Sequence, residues 1–327
     1  MASDNHSEML NDTDFIELIK TVGLRETARK IGVSIRNVNR RRRNLELAHK
    51  IVIHPPYRVG KTGNPSPTRD LEEHSARQHI KVTDGNVLIG SDSHYWPGII
   101  STAHRAFVHF NKELKPKYVI KNGDEMDFPS VSRHAPIMWE KRPSVVMEIE
   151  AAQDRLHEVT EANKNAKYFW TFGNHDALFE TRLATLMPEL ARVKGVHLKD
   201  HFPRWKPCWS VWINDDVVVK HRWANGIHAV YNNTLKSGKS IITGHLHSLK
   251  VTPWSDYNGT RFGVDCGTMA HPYGPQFKNY TEDNARNWRS GFVVLTFAGG
   301  KLLWPEVCHV IDEIEGLVEF RGKVYKV

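Results

Sequence analysis

Five short blocks rich in Asp, Asn and His carry the chemistry that this chain could do. In order they are Asp92-Ser93-His94, Gly123-Asp124-Glu125-Met126-Asp127, Gly173-Asn174-His175-Asp176, a lone His221, and Gly244-His245-Leu246-His247. Together they supply enough oxygen and imidazole ligands for two adjacent divalent metals. A carboxylate between two dications bridges them and offsets their repulsion, and a hydroxide held on the other side becomes a nucleophile at neutral pH. Asp124 is the natural bridge. Imidazoles and an amide complete the shells without adding so much negative charge that a phosphate diester would be repelled.

Each block follows an apolar, β-branched run, so the polar groups fall where strands end and loops begin, which is where α/β proteins build their sites. Strands are predicted at 87–91, 117–122, 167–172, 216–221, 240–243, 261–266 and 291–297, and helices near 100–114, 144–163, 177–193 and 226–237. Mixed order of this kind indicates an α/β domain over residues 80–300, built of stacked sheets flanked by helices. The tail 301–327 alternates apolar and polar residues and reads as strands completing or capping that domain.

In order, spacing and strand context the five blocks resemble those of the calcineurin-like metallophosphoesterase superfamily, over about residues 85–270. The resemblance implies a four-layer αββα sandwich. It also implies that Asp92, His94, Asp124 and His247 hold a first metal and that Asp124, Asn174, His221 and His245 hold a second. His175 would then be the general acid, and Asp127 would orient it. Manganese is the family's usual metal, and iron, zinc, nickel or magnesium suit the same ligand types. Protein phosphatases of this superfamily carry an Arg-Gly pair after the second Asp and an Arg before the Gly-Asn block. Here Phe128-Pro129 and Phe172 stand in those places, which disfavours a protein substrate. The superfamily's recombination nucleases commonly have His where this chain has Asp127, so the chain departs from that subgroup too.

With 19 histidines in the chain, several must be structural. His221 has only its position after Asp216-Val217-Val218-Val219-Lys220 to recommend it, with His228 as the substitute. Asp176 is either a loop cap or part of the site. Within the insertion 128–147, Arg133 and His134 either bind the substrate phosphate or belong to a loop packed by its prolines and aromatics. Arg204-Trp205-Lys206 and His197 to His201 either extend a basic, aromatic groove for single strands or pack in the core or rim.

The net charge of +8 is concentrated upstream. Residues 20–50 hold ten Lys/Arg against two Glu, an excess as large as that of the whole chain. Apolar positions there recur at helical spacing (Phe15, Leu18, Ile19 and Val22; Leu24, Ala28 and Ile31; Ile35, Val38 and Leu45), with Gly23 and Gly32 as stops and Ser34 placed to cap a third helix. Over residues 24–43 this resembles the helix-turn-helix family, giving a small all-α DNA-binding module within residues 1–50. The resemblance makes Ser34 to Arg43 the recognition helix, with Arg36, Asn37 and Arg40 reaching bases or phosphates and Arg41, Arg42 and Arg43 on phosphates. A protein-docking hairpin with a soluble basic face is the alternative. Residues 51–79, dense in Pro and Gly from Pro55 to Pro67, read as a linker. Its Gly60-Lys61-Thr62 lacks the earlier glycine and the strand–loop–helix context of a P-loop.

No apolar run approaches the ~20 residues needed to span a bilayer, and no secretion signal precedes the first block. Three cysteines without C-x-x-C spacing suggest neither disulfides nor a zinc ribbon, and a reducing cytoplasm is expected. The leading expectation is a two-metal nuclease that hydrolyses DNA phosphodiesters by in-line attack of a bridging hydroxide and is recruited by its helix-turn-helix. A phosphatase of nucleotides or DNA ends, and a DNA-binding regulator with an idle metal domain, are the alternatives. A homodimer is the usual way for a single helix-turn-helix to gain specificity, though no heptad accompanies it here.

Overall fold

The computed structural model describes residues 10–53, 74–132, 134–282 and 284–327. The chain divides into two units, residues 1–70 with 192–194, and residues 71–191 with 195–327.

In the smaller unit α1 (Asp12–Lys30) is broken at Gly23, whose φ of 79° and ψ of 167° are not helical, so it consists of two arms. Asn11 caps it by accepting the Asp14 N–H (2.8 Å). The chain turns at Gly32, where φ is 69°, and enters α2 (Ile35–His49), capped by Ser34 Oγ accepting the Asn37 N–H (3.2 Å). The three helical segments close over Phe15, Ile19, Ala28, Ile31, Val38 and Leu45. Ile35, expected among these, is 41% exposed. Arg36, Arg40 and Arg43 are exposed. Arg41 departs from its expected place on phosphate: its guanidinium donates to Leu10 O (2.6 Å) and Asp12 Oδ1 (2.8 Å) and lies 4.3 Å over the Phe15 ring. Arg42 is half-buried with Nε 3.7 Å from Glu46. Arg41 is drawn inward where α2 packs against α1, while Arg42 lies along its own helix toward Glu46.

The larger unit begins with β1 (Arg77–Ile80), β2 (Gly85–Gly90), α3 (Thr102–Leu114), β3 (Tyr118–Lys121), α4 (Val145–Ala162), β4 (Lys167–Thr171), α5 (Asn174–Leu186), α6 (Leu198–His201) and β5 (Trp205–Cys208). It continues through β6 (Ser210–Ile213), β7 (Val217–Val219), α7 (Ala229–Ser237), β8 (Ser240–Thr243), β9 (Lys250–Asp256), β10 (Gly259–Asp265) and α8 (Pro275–Thr281). It ends with β11 (Gly291–Ala298), β12 (Lys301–Leu302), β13 (Glu306–Asp312), β14 (Leu317–Phe320) and β15 (Lys323–Lys326). Among the described residues these strands form two sheets. One runs β1-β6-β7-β8-β10-β9, the other β15-β14-β13-β11-β2-β3-β4-β5 with β12 beside β11.

Strand alternation explains the layering. Val87 and Ile89 of β2 face Val217, Val219, Ile242 and Val264 of the other sheet, forming the core between the sheets. Leu88, one residue out of phase, packs with Phe107 and Phe110 of α3 and Leu156 of α4 on the outer face. On the far side α7 covers β8, β9 and β10. The result is the expected four-layer αββα sandwich. Strands β2 to β5 are parallel, as are β7, β8 and β10, so loops at their carboxyl ends share an edge.

Several elements lay outside the sequence expectation. β1 sits within the stretch read as linker, residues 54–73 of which lie outside the described residues; it pairs with β6 at the sheet edge, where half-buried alternation leaves no apolar run. Of the residues read as a basic, aromatic groove or as packing, two belong to the packing, while Arg204 and Lys206 are exposed. Trp205 is buried, 4.9 Å from the Tyr168 ring, and His197 Nδ1 lies 2.7 Å from Glu180. All three cysteines are buried and free. No helix among the described residues is long and apolar enough to cross a membrane.

One buried carboxyl links stability to the site. Glu148, in the first turn of α4, accepts the Phe128 N–H (2.8 Å) and so fixes the end of the loop carrying Asp124 and Asp127. Burial raises its pKa from 4.5 to about 8. A folded-state pKa above the unfolded one means stability that is full below the unfolded value and is lost as pH rises through about 8. Glu148→Gln keeps the neutral form at every pH. The unfolding free energy of metal-free protein, from urea titrations, is expected to fall further between pH 5.5 and 8.5 for the wild type than for E148Q, by a difference on the order of a few kcal/mol. Equal losses would show that Glu148 is ionised in the folded chain.

Candidate metal centre

The five blocks meet at the carboxyl ends of β2, β3, β4, β7 and β8. Backbone hydrogen bonds stitch them: Asp92 N–H to Gly123 O (2.9 Å), His94 N–H to Asp124 O (3.0 Å), and Gly244 N–H to His221 O (2.8 Å). Asp92, His94, Asp124, His245 and His247 all have φ between 40° and 73°, a region sparsely populated by side-chain-bearing residues and typical of functional sites. Gly123, with φ 88°, leaves no room for a Cβ against the His221 ring, and a Cβ at Gly244 would strike Ser91 and Asp92. The glycines in the blocks therefore permit the ligands to approach.

Three groups of candidate ligand atoms result among the described residues: His94, Asp127 and His175 make one, and the other two are the pair that the blocks predict. Asp92, His94 and His247 form one of that pair and Asp124, His221 and His245 the other, each with its atoms within 4.8 Å of one another. Asn174 Oδ1 lies 3.3 Å from His221 Nε2, which is itself 3.0 Å from Asp124 Oδ2. His228 is the residue preceding α7 and is exposed, so His221 is the histidine brought to the site.

Whether these residues suit a metal can be read from their ring nitrogens. His221 donates Nδ1–H to Asn122 O (2.7 Å), since a carbonyl can only accept. That leaves Nε2 for the site. His94 Nδ1 is held by Asp127 Oδ1 (2.9 Å), and its buried Nε2 has no partner; His247 Nδ1 is likewise buried without one. An imidazole tied at one nitrogen by oxygen and open at the other is the usual setting of a metal ligand. Charge agrees. Burial alone would raise the Asp92 carboxyl, yet His247 and His221 hold it at about 2. Burial disfavours charge on His221, yet Asp124 and Asp92 push its pKa up to about 10. The pocket thus calls for positive charge beside its carboxylates, and the residues fit divalent ions.

His175 stands beside these groups at the start of α5. Its N–H donates to Asp124 Oδ1 (2.8 Å) and its Nδ1–H to Asp127 O (2.6 Å), leaving Nε2 open. Burial opposes its imidazolium, but Asp124 and Asp127 outweigh that and raise its pKa. Asp176 proves to be a cap. Its carboxylate accepts the N–H groups of Asp124 (2.9 Å), Glu125 (3.2 Å) and Gly173 (2.9 Å) and Trp170 Nε1–H (3.1 Å), binding the second block to the third.

A cavity of about 600 Å³ opens over the centre. His134 lines it; Arg133 lies outside the described residues. Arg142 pins the insertion through Pro129 O (2.7 Å) and Glu140 (2.9 Å). The opposite wall was not anticipated: Phe277 packs 5.0 Å from the His94 ring and Trp288 4.5 Å from the His247 ring. The signal available was the aromatic and basic composition of Tyr273 to Arg289. Arg222, also on the cavity, directly follows His221.

The layers and the strand-end groups, in their order, give an αββα fold and a candidate metal site that resemble those of the calcineurin-like metallophosphoesterases. No protein-family profile matches the chain. It is 22% identical over 249 residues to the gene 54 protein of Mycobacterium phage L5, spanning 68% of this chain and 92% of that protein. To the gene 54 protein of Mycobacterium phage D29 it is 24% identical over 255 residues, with the same shares. Among solved structures it is similar to Vps29 of Chaetomium thermophilum, with a TM-score of 0.38 at 9% identity over 74% of this chain and 96% of that one. A serine/threonine phosphatase of Saccharomyces cerevisiae with similarity to human PP5 gives 0.36 at 12% over 73% and 85%. The Yfce phosphoesterase of E. coli gives 0.30 at 14% over 67% and 97%.

Proposed function

We propose that this chain is a metal-dependent phosphoesterase that hydrolyses phosphodiester bonds of DNA. The observation that carries the reading is the pair of ligand groups, one holding Asp92, His94 and His247 and the other Asp124, His221 and His245, under a cavity lined by His175. Asp92, His94, Asp124 and His247 would hold one ion, and Asp124, Asn174, His221 and His245 the other, with manganese the first to be tried. Bound divalent ions supply Lewis acidity and an activated water at neutral pH. The chain's own part is to orient and to protonate. Asp127 sets the His94 ring through Nδ1 and its carbonyl sets that of His175, whose Nε2 is the group placed to give a proton to the leaving oxygen.

DNA as substrate is supported by the exposed Arg36, Arg40 and Arg43 of the N-terminal unit, with Asn37 beside them. The triple variant Arg36→Ala, Arg40→Ala, Arg43→Ala is expected to weaken duplex binding about 10- to 100-fold near 100 mM salt and to flatten its salt dependence by up to about three units, while small diesters are hydrolysed as before. Unchanged affinity and slope would remove the DNA-binding role.

The deciding assay gives the manganese-loaded protein plasmid, linear duplex and single-stranded DNA beside bis(4-nitrophenyl) phosphate and a phosphomonoester. Cleavage of DNA and of the diester is expected. Intact DNA with rapid loss of the monoester would overturn the nuclease reading in favour of a phosphatase of nucleotides or DNA ends.

A further inference from the structure

We infer that the cavity over the metal centre is a subsite for the base of an unpaired nucleotide, stacked against a wall of Tyr280 and Trp288 beside the buried Phe277; this rests on the phosphoesterase reading above. Phe277 and Trp288 touch the rings of His94 and His247 and each other, the last pair at 5.0 Å, so a group lying on this wall is one ring away from the ligands. Arg286 braces Trp288 from 5.4 Å, which keeps the indole in place before anything binds. Tyr280, 79% exposed, extends the wall outward.

Chemistry selects the occupant. Aromatic faces accept a planar base of any identity, and cations beside them accept phosphate. Lys141 and Arg222 line the same cavity and have no hydrogen-bond or ion-pair partner among the described residues. A volume of about 600 Å³ suits a small-molecule-sized ligand. A base inside a duplex is stacked on both faces and has none to offer the wall until it is drawn out. A nucleotide at a strand end or drawn out of the stack fits all three constraints at once: base on the wall, phosphate at the ligands, flanking phosphate on Lys141 or Arg222.

The test compares thymidine 5′-monophosphate with 2-deoxyribose 5-phosphate, in which a hydroxyl replaces the base, by calorimetric titration of the manganese-loaded full chain. The wild type is expected to favour the base-bearing ligand about 10-fold. Trp288→Ala should abolish that preference, Trp288→Phe should keep most of it, and Tyr280→Ala, at an exposed position, should reduce it with the fold unaffected. Equal affinities in the wild type, or an equal weakening of both ligands in W288A, would overturn the proposal, since a merely structural tryptophan acts on both alike. A base preference without turnover of any phosphoester would leave the subsite standing and retire the phosphoesterase. Turnover of bis(4-nitrophenyl) phosphate without a base preference would do the reverse.

Discussion

Asp124→Asn is expected to lower phosphoester hydrolysis at least about 1,000-fold and to cut manganese binding from two sites to one at most. The carboxylate is fully buried at the meeting point of the blocks, with Oδ2 3.0 Å from His221 Nε2 and Oδ1 accepting the His175 N–H at 2.8 Å. Burial alone would raise its pKa, yet His221 and His175 hold it well below the ordinary range, so it is an anion in the folded chain. An amide keeps the shape and can still accept from His175. It lacks the charge that offsets two cations, so the loss is electrostatic and should appear in calorimetry as well as in rate. Activity within about 10-fold of wild type would place the metals elsewhere.

His175→Ala should act differently. It is expected to lower kcat about 100- to 10,000-fold on DNA while manganese binding stays as in the wild type. The loss should be much smaller on bis(4-nitrophenyl) phosphate, because nitrophenolate leaves without needing a proton. The pH profile supplies a second readout. Because Asp124 and Asp127 raise the His175 pKa, the protonated acid persists to higher pH than a free imidazole, and the wild-type rate should fall on the alkaline side of that raised value. The alanine variant should lack this limb. Equal losses on both substrates with an unchanged profile would make His175 a structural residue.

Much of the site was legible because its information is local. A β-branched run followed by a short polar block, repeated at β2, β3, β4, β7 and β8, announces strands whose ends carry ligands, and Gly23, Gly32 and Ser34 announce where three short helices break. Edge elements were harder. β1 and β9 are paired on one side only, and their exposed, polar alternation has no apolar run to betray a strand. The arginine run 40–43 reads as one basic stripe, but a helix turns it about 100° per residue, so Arg41 lands on Phe15 and Asp12 while Arg40 and Arg43 stay in solvent.

By itself, the order of residues determined the Asp, Asn and His blocks, their succession at strand ends and the layered fold, since strand period and block position are properties of neighbours in the chain. Tertiary structure alone decided which histidine nitrogen is open, that Asp176 ties two loops together, and that Phe277 and Trp288 wall the cavity against His94 and His247. Those outcomes depend on distances between residues up to nearly two hundred positions apart, set by which strands pair and in what register, and no local pattern encodes them.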